Sequence, residues 1–331
     1  MAGLIRGDAL SLPLADNSVD LVVTSPPYFA LRSYRDGDEH YDGQIGSEAS
    51  PQDFLEALWA ATVEMVRVVK PSGSIFVNLG DKYAGSSGRN NGTGSSTLVG
   101  GASVRNRAAA KAATYSTTTR PKSLMGLPWR YAIGCIDELG LILRSEIVWS
   151  KPNGLPESVT DRVRRSHEQW FHFTLEPRYF SAIDEIREAY TSEAAHAFTG
   201  HAKQYGDQRN DDGRNCVGEK NPLGKLPGSV WSIPSEPLQI PDHLGVDHFA
   251  AFPQEWPRRL ILGWSPPDGV VLDPFTGTGT VPMVARALGR TGIGIDLSAD
   301  YLRLADWRIH DSGHAAKTMR RTNSERQGVL C

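Results

Sequence analysis

Short β-branched runs alternate with stretches of helical spacing at both ends of the chain. Leu4-Ile5-Arg6-Gly7-Asp8 reads as a short strand running into a turn, and Ser18-Val19-Asp20-Leu21-Val22-Val23 as a buried strand. The second run must stop at Thr24-Ser25-Pro26-Pro27-Tyr28, because two prolines cannot continue a ladder. Between Asp53 and Val69, apolar residues at Phe54, Leu55, Leu58, Val63, Val66 and Val69 keep helical spacing, and Lys70-Pro71-Ser72-Gly73 ends it. Ser74 to Leu79 is the next strand. Strand, helix and strand in that order predict a parallel sheet.

The pattern then fades. Gly85 to Thr119 is rich in Gly, Ser, Thr, Ala and Asn, with little apolar periodicity. It resumes with a helix over about Arg130 to Leu139 and strands over Ile142–Ser150 and Gln169–Leu175. Arg178 to Leu244 is polar and irregular. Beyond it follow a helix around Gln254–Gly263, a strand Gly269–Phe275, a Gly-rich turn, a helix to about Leu288, a strand Thr291–Leu297 and a helix Ala299–His310. The organisation expected is a catalytic half over residues 1–84, a flexible basic insertion over 85–122 and more catalytic core over 123–177. A loop-rich region over 178–246, a cofactor half over 247–310 and a polar tail over 311–331 complete it.

Composition narrows the class. With 331 residues, 40% of them apolar, the chain can bury a sizeable core. No run approaches the ~18 apolar residues of a membrane helix, and the first residues lack a signal-peptide core. The expected setting is cytoplasmic, in a bacterium or encoded by a phage. Cys135, Cys216 and Cys331 lie far apart without CxxC spacing, which argues against a disulfide framework and a structural zinc site. No metal site is expected. The net charge of −3 rules out a uniformly basic nucleic-acid coat. Yet residues 82–136 hold eight basic side chains and no acidic one, a local charge of +8. Such a segment can supply phosphate contacts and order on a polyanion.

Two motifs carry chemistry. Asp273-Pro274-Phe275-Thr276-Gly277-Thr278-Gly279-Thr280 follows a strand and opens a helix, and its glycines let a ligand approach the backbone. Asp296 ends the next strand, 23 residues after Asp273, where an acid suits a ribose diol. No Lys follows Gly279 and Pro282 replaces a third glycine, so neither a P-loop nor a dinucleotide fingerprint is complete. Asp273 would repel a phosphate and attract an ammonium group. That favours S-adenosylmethionine, which has an amino acid moiety and no phosphate. The second motif, Ser25-Pro26-Pro27-Tyr28, suits an exocyclic amine. Acceptors on both N–H bonds, the Ser25 hydroxyl and the Pro26 carbonyl, would draw such a nitrogen toward tetrahedral geometry. The restricted φ of the Pro26-Pro27 backbone holds that carbonyl, and Tyr28 offers a face for stacking.

Together these segments resemble the S-adenosylmethionine-dependent amino methyltransferases of DNA. The Pro-Pro motif precedes the cofactor turn by about 250 residues, an order similar to the circularly permuted β group. Gly7-Asp8-Ala9, Val148-Trp149-Ser150-Lys151-Pro152-Asn153, Asp161-Arg162, His167-Glu168 and His248-Phe249 match it as well. The resemblance implies an α/β, circularly permuted Rossmann-like fold: a mostly parallel twisted sheet, helices on both faces, and target recognition in the loop-rich region. Asp273, Pro274, Phe275, Gly277 and Gly279 would line the cofactor site. Asp296 would take the ribose hydroxyls, Asp8 would lie near the adenine amine, and Phe249 would close over the methionine end. Ser25, Pro26, Pro27 and Tyr28 would hold a base flipped out of double-stranded DNA.

Members of that family acting on cytosine N4 mostly carry Ser before Pro-Pro, so with Ser25 the resemblance implies cytosine N4, with adenine N6 as the alternative. Lys151, Arg162, Arg164 and Arg165 are candidate DNA contacts, as are Lys203, Arg209, Arg214, Lys220 and Lys225. Trp149, Trp170 and Trp231 read as core. No cysteine follows a proline, which argues against C5-cytosine chemistry. A homodimer and a cognate restriction endonuclease are further partners compatible with this reading. A non-catalytic DNA-binding module and an RNA methyltransferase are the more distant alternatives.

Overall fold

A computed structural model describes residues 1–30, 35–36, 39–40, 43–85, 116–154, 156–190, 221–238, 240–241, 244 and 251–311. Most of the basic insertion, residues 191–220 of the loop-rich region, and Phe249 lie outside them. In chain order the elements begin with β1 (Ala2–Arg6), β2 (Val19–Thr24), β3 (Arg35–Asp36), β4 (Glu39–His40), α1 (Pro51–Val68) and β5 (Val69–Leu79). Next come α2 (Leu127–Asp137), β6 (Ile142–Ser150), β7 (His167–Thr174) and β8 (Val230–Ser232). The last are α3 (Glu255–Trp264), β9 (Val270–Asp273), α4 (Thr280–Ala287), β10 (Thr291–Asp296) and α5 (Ala299–His310). β3 and β4 form a small antiparallel pair of their own.

The other eight strands form one sheet in the order β1-β10-β9-β2-β5-β7-β6-β8. All neighbours are parallel except across β7, which runs against both β5 and β6. The expected mostly parallel α/β sheet is therefore present. Its central strands are buried on both sides, so their side chains alternate between two cores. Val22, Ile75, Val77, Phe171, Phe173 and Leu272 face the core under α1 and α2. Leu21, Val23, Phe76, Trp170 and Val271 face the core beneath α3 and α4. In that second core Trp256 stacks on Trp170 and Trp231, with centroids 4.9 Å away in each case. Trp149, Trp170 and Trp231 are core residues, as expected.

The sheet reverses its winding at its centre. From β2 the chain passes through α1 to β5 on one side, and from β9 it passes through α4 to β10 on the other. β2 and β9 themselves are neighbours, with Leu21 opposite Val271 and Val22 opposite Leu272. Ligands of open α/β sheets bind beyond the carboxyl ends of the strands at such a switch point. Both sequence motifs begin there. Asp20 ties the two strands at the far end. One carboxylate oxygen accepts from the Val270 N–H at 2.8 Å and the other from Lys70 Nζ at 2.7 Å.

Two local expectations need correction. α1 is capped by Ser50, whose hydroxyl accepts from the Asp53 N–H, but its buried face is Phe54, Leu55, Leu58, Ala61, Thr62 and Met65. Val63 is half exposed, because the 3.6-residue period carries that position past the core stripe. Lys70 to Gly73 does not separate helix from strand either. β5 starts at Val69, and a register shift opposite Val19 and Leu21 absorbs the extra residues. Within the irregular region, residues 230–232 form an edge strand on β6, anchored by buried Trp231.

Candidate active site

The cofactor side is a turn held from both flanks. Asp273 ends β9, fully buried, and its Oδ1 accepts from the Thr24 hydroxyl at 2.7 Å and from the Phe275 N–H at 3.1 Å. Burial pushes this carboxyl up, and nearby Asp296 adds to the rise. The two hydrogen bonds pull it down, and the balance lies at about 7. The Thr24 bond joins segments 249 residues apart and places the two motifs side by side.

Gly277 and Gly279 both have positive φ, +48° and +72°. A Cβ on Gly279 would sit 2.7 Å from that of Ala305 on α5, so the turn is pressed against that helix. Asp296, at the end of β10, receives the Gly277 N–H at 2.8 Å and the Ser298 N–H at 2.9 Å. Those bonds fix its carboxylate beside the turn. Asp8 follows β1, the neighbour of β10, and is exposed; its Oδ1 accepts from the Leu10 N–H at 2.9 Å. Pro274 is buried and Phe275 partly so. An acid at each end of a close-backed glycine turn fits S-adenosylmethionine by its chemistry: a buried carboxyl suits an ammonium and a second carboxyl a ribose diol.

Arg308 of α5 supports the glycine turn, a part the sequence alone does not reveal. It is buried, and one guanidinium nitrogen donates to the Thr278 carbonyl (2.8 Å), the Thr278 hydroxyl (2.6 Å) and the Thr280 hydroxyl (2.9 Å). It clamps the back of the glycine turn. Burial lowers its basicity, to about 10, and it stays charged at neutral pH.

The target side begins one residue after Thr24. Ser25 Oγ donates to Asn78 Oδ1 at 3.2 Å, and the Tyr28 hydroxyl donates to the same oxygen at 2.7 Å. The Tyr28 hydroxyl also faces Glu168 Oε2 at 2.9 Å. Asn78 lies near the end of β5, and its own N–H donates to the Gln169 carbonyl at 3.0 Å, which turns Oδ1 toward the motif. Asn78 and Glu168 are missing from the sequence-derived role assignments. Gly80 makes room for the ring of Tyr28, since a Cβ there would lie 2.7 Å from Cε2. Lys82 braces the next residues by donating to the Ala30 carbonyl at 2.7 Å. Pro26 is buried, whereas Ser25, Pro27 and Tyr28 are partly exposed.

The four candidate DNA contacts separate. Lys151 joins the target side: it pairs with Glu168 Oε1 at 2.5 Å and lies over the Trp149 ring, 4.0 Å from its centroid. Arg162 pairs with Glu157 at 2.8 Å and stacks over Tyr83. Arg164 is exposed and donates to the Gly154 carbonyl at 2.6 Å, and Arg165 is partly buried. Of the five loop-region candidates, Lys225 pairs with Glu188 at 3.8 Å, and the rest lie outside the described residues. Among the described residues no cluster could hold a metal ion, and no helix is long and apolar enough to cross a membrane.

Comparison with known proteins identifies the family. Type II methyltransferase M.Cfr9I of Citrobacter freundii is 37% identical over 312 residues, 93% of this chain and 87% of that protein. Type II methyltransferase M.SmaI of Serratia marcescens is 34% identical over 92% of this chain and 90% of its own length. Among solved structures, PvuII DNA methyltransferase (cytosine-N4-specific) shares the fold at a TM-score of 0.62, with 19% identity over 99% of this chain and 93% of that one. A Thermus thermophilus protein solved with S-adenosyl-L-methionine shares it at 0.54, with 22% identity over 94% of each chain. The N6/N4 family described as DNA methylase matches residues 19–306. The chain is thus a member of the DNA methylase family, whose methyl donor is S-adenosylmethionine.

Proposed function

We propose that this DNA methyltransferase modifies the exocyclic N4 of a flipped-out cytosine in double-stranded DNA, with the motif order of the circularly permuted β group. The carrying observation is the junction of the two motifs. Thr24 is bonded to Asp273, and the next residue, Ser25, opens the target side. A group held at Asp273 and a base held at Ser25 are thereby neighbours, which is the orientation that direct transfer requires.

Bound S-adenosylmethionine supplies an electrophilic methyl group on a sulfonium. The chain's own residues do the rest. Asp273 holds the ammonium end, Asp296 the ribose hydroxyls and Asp8 the adenine amine. Gly277 and Gly279 let the ligand lie against the backbone, and Pro274 and Phe275 wall the pocket. Ser25 Oγ and the Pro26 carbonyl accept from the amine and stabilise its developing positive charge. Tyr28 stacks on the base, and Pro27 stiffens the loop. Arg164 and Arg165 would meet phosphates, and the 178–246 region would read the sequence. Phe249 keeps its proposed role as the closing residue.

Ser25 supports cytosine over adenine, and the cytosine-N4-specific structural neighbour agrees. The type II relatives support a cognate restriction endonuclease as counterpart; the mass in solution by light scattering checks the proposed homodimer. The deciding experiment incubates the protein with unmethylated DNA and S-adenosylmethionine and analyses the nucleosides by mass spectrometry. N4-methylcytosine is expected. N6-methyladenine would overturn the base assignment and leave fold, cofactor and chemistry in place. Ser25→Ala should lower kcat by roughly 10²-fold while cofactor still binds, as loss of one group aimed at developing charge does.

A further inference from the structure

We infer that Lys151 and Glu168 form a positioning device that sets the direction of the Ser25 hydroxyl, acting through Tyr28 and Asn78. The inference rests on Ser25 receiving the target amine. A serine oxygen can accept an N–H only if its own hydrogen points elsewhere. Here that hydrogen goes to Asn78 Oδ1, at 3.2 Å. The same oxygen, which has a lone pair for each, also accepts from the Tyr28 hydroxyl at 2.7 Å, and two donors on one carbonyl weaken each other's bond.

Glu168 shifts that balance. The Tyr28 hydroxyl has one hydrogen and lies between two acceptors, the Asn78 amide oxygen and Glu168 Oε2 at 2.9 Å. A carboxylate is the stronger acceptor of the two. It draws the phenol hydrogen part of the way from Asn78 Oδ1 and so firms the Ser25 bond to that oxygen. Two contacts keep both acceptors aimed. Lys151 Nζ holds the other oxygen of Glu168 at 2.5 Å, and the Gln169 carbonyl holds the Asn78 N–H at 3.0 Å. Lys151 is itself seated on the Trp149 ring. The Lys151–Glu168 pair is only partly exposed, with side-chain exposures of 22% and 17%, so solvent competes weakly for either partner.

Glu168→Gln tests this while keeping size and shape. Beside Lys151 the new amide turns its oxygen to the ammonium and its N–H groups to Tyr28. The phenol hydrogen then rests wholly on Asn78. The expected result is a kcat roughly tenfold lower, the scale of one hydrogen bond, with KM for S-adenosylmethionine unchanged. Tyr28→Phe keeps the ring and removes the hydroxyl through which Glu168 acts. In that background Glu168→Gln should cost less than about twofold. Equal losses with and without the Tyr28 hydroxyl would overturn the inference, as would an unaltered kcat in Glu168→Gln alone.

A second readout needs no turnover. In protein labelled at tyrosine ¹³Cζ, with Tyr28 assigned through Tyr28→Phe, both Glu168→Gln and Lys151→Gln should move the Tyr28 resonance. A resonance unmoved by both overturns the device even if the protein methylates no base. Methylation of adenine instead of cytosine would refute the base assignment alone, because both bases present an exocyclic amine to Ser25.

Discussion

Asp273, proposed to hold the ammonium end of S-adenosylmethionine, shows how burial tunes one carboxyl. Burial raises its carboxyl from an ordinary 3.8 to about 7, although Thr24 and the Phe275 N–H oppose the rise. Two pH effects follow. A cation prefers the ionised form, so affinity for S-adenosylmethionine should weaken as pH falls below about 7, and binding near pH 6 should release protons. Calorimetry in buffers of different ionisation enthalpy measures that release, which Asp273→Asn should abolish. Thr24→Val removes a bond that favours the ionised form and should move the midpoint upward. The ligand-free fold behaves in the opposite sense. Between about pH 4 and 7 the folded chain keeps a proton that the unfolded chain has shed, so stability should decline as pH rises through this window. Chemical denaturation across that range should show the decline in the wild type and a flatter profile in Asp273→Asn. Residues at strand ends beside Pro or Gly are the ones whose chemistry is legible in the sequence. Asn78, Glu168 and Arg308 are single polar residues inside regular elements, and only packing between distant segments gives them partners.

At the scale of elements, the glycine turn and α5 depend on each other. Gly279 has φ of +72° and Ala305 directly beyond its missing Cβ. Gly279→Ala should cost about 1–2 kcal/mol from backbone conformation alone, and more from displacing α5. A lowered thermal midpoint with weakened cofactor binding checks this. Arg308→Lys keeps the charge but cannot serve Thr278 and Thr280 as the planar guanidinium does. A loss of about 1–3 kcal/mol is expected, read by thermal unfolding. Periodicity locates α1 to within a few residues. It misplaces Val63 because a run of apolar residues does not by itself say which stripe faces the core. It misses β8 because three residues are too short for a pattern; Trp231 is the anchor, and one tryptophan is no strand signal.

Across the whole molecule, the alternation of strand and helix is enough to predict the parallel sheet, while the neighbours in the sheet are not readable from it. That β2 lies against β9 follows only from the resemblance or from the structure. Charge works at this scale too. The chain as a whole carries −3, yet residues 82–136 carry +8. If Arg89, Arg105, Arg107 and Lys111 meet phosphates, replacing all four by Gln should make log K against log salt shallower by roughly 3–4, near 0.9 per contact. An unchanged slope would remove that segment from the DNA footprint.

The pairing of the first strand with the last gives the fold a timetable. β1 needs β10 beside it, and β2 needs β9. On a ribosome both early strands emerge long before their partners are synthesised. Such distant pairings also make folding slow, since a long loop must close before any contact rewards it. The glycine turn and the Ser25-to-Tyr28 loop, proposed to hold the methyl donor and the base, therefore come into being together, late, and a nascent chain has neither.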